Sequence, residues 1–313
     1  MPDRAHRYGP WRCRRPADAC NRPSLQQEVR GKPNGALVPG RAFLLQGKFR
    51  EGSILKICVL ASSSAGNSTF IGTANTHLLV DAGLSRRETA ARLALIGESI
   101  DDLDGILVSH EHTDHVSSLW TVAKRREKRQ PVPVYATEAT FSALAKPAYE
   151  PAVEKFCAGL KLVIGDIEVQ TYTTPHDAVD PIGFCFHTQG LKAGLVTDLG
   201  YMPDSIRYYL RETDFLILES NHDLEMLKVG PYPWQVKQRV MGRKGHLSND
   251  VASEFIRQDM APATQTIVLG HLSEQNNHPE LARLAAAQAI EGRGLAVKLV
   301  VALPRKQTEV FQL

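Results

Sequence analysis

The sequence predicts an α/β fold in which two sheets pack face to face with helices outside, and three observations predict it. Apolar, strand-like runs fall in two blocks, each followed by segments with helical spacing, the pattern of layered sheet-and-helix architecture. Five of those runs lead into an acid or an imidazole: Asp81 after HLLV, His176 after Val169 to Thr173, Asp198 in GLVTD, Glu219 in DFLILE and His271 after TIVLG. Finally, His110-Glu111-His112-Thr113-Asp114-His115 packs four potential metal ligands into six residues between a strand-like and a helix-like segment.

The elements are expected in the following order. A strand covers Ile54 to Leu60, a small-residue loop covers Ser62 to Asn67, and strands follow at Thr69 to Gly72 and His77 to Asp81. Ser85 to Ile96 has the spacing of a helix, with Ser85 as cap and Glu88 completing a capping box. Leu103 to Ser109 reads as a buried strand and Val116 to Arg126 as a helix. Strand Val132 to Ala136, helix Glu138 to Lys146 and a run of strands between Leu160 and Thr197 come next, with Lys146 to Cys157 as a connection or lid. Helix Pro203 to Leu210 leads to strand Phe215 to Glu219. Helices are expected at Asp223 to Lys228, Trp234 to Met241 and Asn249 to Met260, then strand Gln265 to Leu269, helix Pro279 to Ile290 and a closing strand Ala296 to Ala302.

The run at 110–115 carries the chemistry. On an extended segment, side chains two apart point the same way, so His110 and His112 can grip one ion while Asp114 and His115, past the bend, reach another. Imidazoles and a carboxylate set directly after an apolar strand are expensive to desolvate unpaired, which argues for a bound cation.

The 313 residues suffice for a sizeable core. No apolar run approaches the ~20 residues needed to cross a bilayer, and no signal-peptide pattern is present, so a soluble, cytoplasmic protein without membrane partners is expected. The five cysteines are scattered and never spaced C-x-x-C; reduced thiols are expected, three of them in the core. Residues 1–53 carry 11 Lys/Arg against 4 Asp/Glu, leaving the rest at 26 against 30. This first stretch, rich in Arg, Pro and Gly, reads as a disordered basic extension; because the regular pattern begins abruptly near Leu55, a true start there is expected. Residues 54–313 read as one domain. Its mildly acidic balance argues against a broad basic binding face, though bound divalent cations would offset it where a phosphate approaches.

The ordered set Asp81, H-x-H-x-D-H at 110–115, His176, Asp198 and His271 resembles the motif set of the metallo-β-lactamase superfamily. The resemblance implies an αββα four-layer sandwich of two mixed sheets. It also implies His110, His112 and His176 on one metal, Asp114, His115 and His271 on the other, Asp198 bridging, and Asp81 and Glu219 supporting the ligands. Asp198 in place of Cys departs from the common di-zinc β-lactamase pattern. His112 in place of Glu departs from the redox di-iron branch and points to hydrolysis. ESNHD at Glu219 to Asp223, GHLSND at Gly245 to Asp250, CVLASSSAGNST at Cys58 to Thr69 and GPYPW at Gly230 to Trp234 are similar to the YycJ/WalJ-like nucleases, relatives of RNase J. The stretch between Asp198 and His246 is too short for the cap domain those relatives insert.

That family implies phosphodiester hydrolysis of nucleic acid, with DNA and attack from the 5′ end favoured. The expected cofactors are two divalent ions, zinc, manganese or iron, with a metal-bridging hydroxide as nucleophile. Asp114 is the candidate to orient it or take its proton, and His222 and His246 to bind the scissile phosphate or protonate the leaving oxygen. Ser64 and Asn67 could present the loop to a phosphate, and Trp234, near Tyr232, Lys237, Arg239, Arg243 and Lys244, could stack on a base. A small-molecule thioester or lactone hydrolase and a non-catalytic metal-binding module are the alternatives.

Overall fold

The computed structural model describes residues 55–124 and 130–313. The extension expected at 1–53 and the basic cluster Arg125 to Arg129 lie outside the described residues.

The first sheet is built from β1 (Lys56–Ser63), β2 (Gly66–Gly72), β3 (His77–Val80), β4 (Gly105–Leu107), β5 (Val134–Thr137), β6 (Val153–Phe156) and, from the far end of the chain, β14 (Phe311–Gln312). The second holds β7 (Lys161–Ile164), β8 (Ile167–Thr173), β9 (Ile182–Thr188), β10 (Leu191–Val196), β11 (Phe215–Glu219), β12 (Thr266–Gly270) and β13 (Lys298–Val301). Their orders are β14-β1-β2-β3-β4-β5-β6 and β13-β12-β11-β10-β9-β8-β7. Both are mixed: β1 to β3 run antiparallel and β3 to β6 parallel, while β7 to β10 run antiparallel and β10 to β13 parallel.

The period of two explains the layers. In β1, Ile57 and Val59 pack with Phe184, Phe186, Leu195 and Ile217 of the other sheet, while the alternate residues Cys58 and Leu60 pack outward with Leu93, Leu119 and Val122. Leu93 belongs to α1 (Arg86–Leu95), and α2 (Thr113–Val116), α3 (Leu119–Ala123) and α4 (Glu138–Ala143) follow it in sequence. The outer face of the second sheet, with Cys185, Leu216 and Leu218, is covered by α5 (Asp204–Tyr209), α8 (Asn249–Gln258) and α9 (Pro279–Glu291). Helices α6 (Leu224–Val229) and α7 (Trp234–Val240) lie between β11 and α8 in the chain. The expected four-layer αββα sandwich of two mixed sheets is what forms.

Several expectations are corrected. The helix expected at 116–126 starts earlier, inside the metal run, and breaks at Ser117 and Ser118. There the Ser118 amide donates to Ala82 O at 3.0 Å and Ser117 Oγ to Gly83 O at 2.9 Å, tying the chain to the end of β3 instead of continuing the helix. The loop expected at Ser62 to Asn67 is mostly strand: β1 and β2 close a tight hairpin over Ser64 and Ala65. Lys146 to Cys157 is not only a connection, since it contains β6, an edge strand whose exposed Glu154 and Lys155 hide its pairing from a hydrophobic pattern. Cys58 and Cys185 are buried but Cys157 is exposed. At α1, Ser85 accepts from the Glu88 amide at 3.2 Å, yet the Glu88 carboxylate turns to Arg92 at 2.8 Å rather than back to the cap. Among the described residues, no helix is long and apolar enough to cross a membrane.

Candidate metal centre

Strands β3, β4, β8, β10, β11 and β12 deliver their C-terminal ends to one rim of the sandwich, the usual place for a site in sheets of this kind. Three of the residues that follow them have left-handed backbone: Asp81 (φ 61°), Asp198 (φ 61°) and His271 (φ 56°). This conformation costs a non-glycine residue about 1–2 kcal/mol, and strain of this kind collects at functional sites. It turns each side chain sharply off its strand toward the rim.

The expected ligands converge there. His110, His112 and His176 bring ligand atoms within 4.8 Å of one another, as do Asp114, His115 and His271. Asp198 joins His110 and His115 in one such group, and Glu219, His246 and His271 in another. In the first triad His112 Nδ1 lies 3.1 Å from His110 Nε2 and 3.2 Å from His176 Nε2. Asp198 Oδ2 is 3.5 Å from His115 Nε2, and its Oδ1 is 3.8 Å from His176 Nε2, so its carboxylate faces both triads.

Neighbouring groups fix which nitrogen of each ring faces inward. His176 Nδ1 donates to Gly245 O at 3.1 Å; a carbonyl only accepts, so the Nε2 lone pair is left for the cluster. His115 Nδ1 donates to Asp81 Oδ2 and His271 Nδ1 to Glu219 Oε1, at 2.8 and 2.9 Å. Asp81 is itself held by the Ser109 amide and hydroxyl, each at 2.8 Å. Glu219, fully buried, also accepts from His246 Nδ1 at 2.7 Å and from the amides of Leu199 and Leu247. One carboxylate therefore aims two imidazoles from different parts of the chain.

The residues fit a divalent cation on a direct test: Asp198 Oδ2 and His271 Nε2 are buried polar atoms without a hydrogen-bond partner, both turned into the cluster. Buried polar atoms of this sort are costly unless something coordinates them. The electrostatics agree. Burial opposes the charged form of His271, but Asp198, Asp114 and Glu219 outweigh it and push its pKa up to about 10. Burial likewise opposes charge on His115, and Asp198 with Asp81 overcomes it, holding the ring well above its ordinary value. His110 moves the other way, well below its usual value, through burial and then His115. Burial resists ionisation of Asp198 too, yet His271, His115 and His110 keep it well below the usual carboxylate range. The carboxylates thus draw positive charge into this corner.

The cluster opens into a cavity of about 360 Å³ lined on one part by His112, Asp114, His176, Asp198, His246 and His271. The remaining candidates divide. Ser64 lines the cavity. Asn67 does not: it is buried, accepts from the Ser63 amide at 3.0 Å and donates to Asp114 Oδ2 at 2.9 Å, so it braces a candidate ligand rather than lining the cavity. Trp234, 62% exposed, is also outside the lining, which takes Tyr232, Val236 and Arg239 instead. A helix advances ~100° per residue, so Val236, Arg239 and Val240 share a face that Trp234 does not. Lys237 is buried, with Nζ donating to Lys228 O at 2.6 Å, and Arg243 lies over the Tyr201 ring at 4.1 Å. His222 is 1% exposed and outside the lining, and burial pulls its pKa down to about 4, which suits a neutral core imidazole rather than a phosphate ligand. His246 is 21% exposed and lines the cavity.

Sequence reasoning missed Ser109, which braces Asp81 and lies 3.0 Å from His110 Nδ1, and Ser62, whose hydroxyl accepts from the His271 amide at 2.6 Å across the two sheets. A serine beside a ligand run was the only signal for the first. The second, 209 residues away in sequence, had none.

A family model described as a beta-lactamase superfamily domain matches residues 76–271. The chain is 39% identical over 246 residues to the exodeoxyribonuclease YycJ of Bacillus anthracis, covering 78% of this chain and 92% of that one. It is 35% identical over 267 residues to the exodeoxyribonuclease WalJ of Streptococcus pneumoniae, covering 82% and 98%. Among solved structures, the metallo-beta-lactamase fold protein YhfI from Bacillus subtilis superposes with a TM-score of 0.63 at 18% identity, over 83% of this chain and all of that one, a likeness of fold.

Proposed function

This chain belongs to the beta-lactamase superfamily and, within it, to the YycJ/WalJ group; from that premise we propose that it is a metal-dependent exonuclease that hydrolyses DNA phosphodiester bonds from the 5′ end at a dinuclear centre. The observation that carries the reading is the pair of donor triads facing one Asp198 carboxylate at the floor of a single cavity. His110, His112 and His176 would hold one ion, Asp114, His115 and His271 the other, with Asp198 between them. When bound, such ions supply Lewis acidity to phosphoryl oxygens and lower the pKa of water.

The chain's own residues do the rest. Asp114, kept ionised by His115 and His271 against the opposing effect of burial, can orient the attacking water by accepting its hydrogen bond. His246 lines the cavity with Nδ1 committed to Glu219, which leaves Nε2 as its only free ring atom for the leaving oxygen or a phosphate oxygen. Ser109, Asp81 and Asn67 keep the ligands from rotating, so that little reorganisation remains when substrate arrives.

The test is hydrolysis of end-labelled single- and double-stranded DNA and RNA by protein reconstituted with manganese or zinc, with Asp114→Asn as control. Release of mononucleotides from the 5′ end of DNA, abolished by the substitution, is the expected result. Absence of nucleic-acid cleavage with hydrolysis of thioesters or lactones would overturn it.

A further inference from the structure

The part of the cavity that holds no candidate ligand is built differently from the rest. Besides polar residues such as Ser64, Asn221, Ser273 and Asn276, it includes a wall of Tyr232, Val236, Arg239 and Val240, on α7 and the turn before it. The aromatic and two aliphatic side chains beside the candidate ligands have no use in gripping a phosphate.

This wall is stiff. Tyr232 stands between Pro231 and Pro233, each of which locks its own φ and restricts the residue before it. The turn is docked from below: a Cβ added at Gly230 would meet Asn276 Oδ1 at 2.4 Å and Met226 O at 2.8 Å, so the chain there approaches its neighbours as closely as a glycine allows. Lys237 Nζ, donating to Lys228 O at 2.6 Å, fastens α7 to the end of α6. On the cavity side, the Arg239 guanidinium pairs with Asp177, the residue after His176, joining α7 to the loop that carries a candidate ligand. A backbone held this way narrows the positions open to the Tyr232 ring, which lowers the ordering cost when something stacks on it.

We propose that Tyr232 and Val236 form a nucleobase subsite that takes one unpaired base of a nucleotide flanking the scissile phosphate. The inference rests on the nuclease reading above and names what that reading leaves open, the part of the substrate recognised beyond its phosphate. A cavity of about 360 Å³ is near the small end of the range for small-molecule pockets. That size is on the scale of one nucleotide rather than of a duplex, which is why the subsite is assigned to an unpaired base. Every base presents a π-face, so stacking on Tyr232 is tolerant of sequence.

The test separates the base from the side chain. Initial rates are measured on a single-stranded DNA oligonucleotide and on two versions in which a tetrahydrofuran abasic residue replaces the nucleotide on one or the other side of the scissile phosphate. The proteins are wild type, Tyr232→Ala, Tyr232→Phe, Trp234→Ala and, as a remote exposed aromatic, Tyr208→Ala. The wild type is expected to lose about 10-fold in kcat/KM, mainly through KM, at one of the two abasic positions. Tyr232→Ala is expected to abolish that preference, while Tyr232→Phe and Tyr208→Ala retain it.

A wild type indifferent to both abasic positions overturns the proposal. So does a Tyr232→Ala variant that is slowed equally on all three substrates, since a structural role would do that, and so does loss of the preference in Trp234→Ala but not in Tyr232→Ala. A wild type that fails to cleave even the intact oligonucleotide rejects the nuclease reading itself.

Discussion

Replacing Gly83 by alanine tests the architecture of the centre without touching a ligand. A Cβ at this position would lie 1.7 Å from the Asp114 carbonyl oxygen and 2.6 Å from the Asn67 amide nitrogen, against an ordinary contact of 3.4 Å or more. Neither neighbour has room to give. The Asp114 segment is pinned by Ala82 N to His115 O at 2.7 Å and Ser118 N to Ala82 O at 3.0 Å, and the hairpin by Gly83 N to Asn67 O at 2.9 Å. The clash therefore moves Asp114 and His115 relative to Asn67 and His271 by an amount on the order of 1 Å. Overpacking typically costs about 1–3 kcal/mol, and misplacing reacting groups by ~1 Å costs roughly 100-fold in rate. Urea unfolding, metal content per chain and hydrolysis rate measured on one preparation give the three readouts. The variant is expected to fold with reduced stability, to bind less metal and to lose about two orders of magnitude in rate. Gly292→Ala, at the end of α9 with its closest contact at 3.2 Å, is the control expected to retain both metal and rate. Wild-type metal content and rate in Gly83→Ala would refute the claim that this close approach sets the ligand positions.

Glu219→Gln keeps the shape but removes the charge that aims His246 and His271 and sets an amide N–H₂ near the Leu199 and Leu247 amides; a 10- to 100-fold loss of metal affinity is expected, read by competition with a chromogenic chelator. Adding zinc or manganese to chelated protein is expected to raise the melting temperature, by about 2.7 kcal/mol of stabilisation at 100-fold above Kd, and an unchanged melting curve would contradict a preformed site at Asp198 and His271. Asp166 accepts from Thr73, Thr76 and Asn75. Burial works against its ionisation, but these donors outweigh it and lower its pKa from 3.8. Its stabilising effect is thus present above that value and lost as pH falls through the lower folded value. The unfolding midpoints of wild type and Asp166→Asn are accordingly expected to differ at pH 7 and to draw together toward pH 3, and a constant gap would reject this. Cys185, buried and with its pKa pushed up to about 12 by desolvation, is expected to resist thiol reagents in the native state and to react on unfolding, as peptide mapping would show.

What the sequence determined alone was the part of this protein written in short-range pattern. Short continuous apolar runs set the strands, because a strand buried on both faces admits little else, and the polar residue ending each run marked where the chain must leave the core and what it carries there. The candidate ligands His110, His112, Asp114, His115, His176, Asp198 and His271, with Asp81 behind His115, were legible for that reason, and folding brings them to one rim. The edge strands β6 and β14 were not legible, since pairing on one side only leaves little hydrophobic signal. Tertiary structure decided the rest. Left-handed backbone at Asp81, Asp198 and His271 falls on residue types that tolerate it, but which of the chain's Asp and His residues adopt it is imposed by packing around the rim. Asn67 as a brace, Glu219 shared between His246 and His271, and Ser62 reaching the His271 amide are contacts between elements far apart in sequence. The exchange of Trp234 for Tyr232 at the cavity turns on the rotation of one short helix, an angle that composition cannot encode and that the neighbours of α7 fix through Lys237 and Arg239.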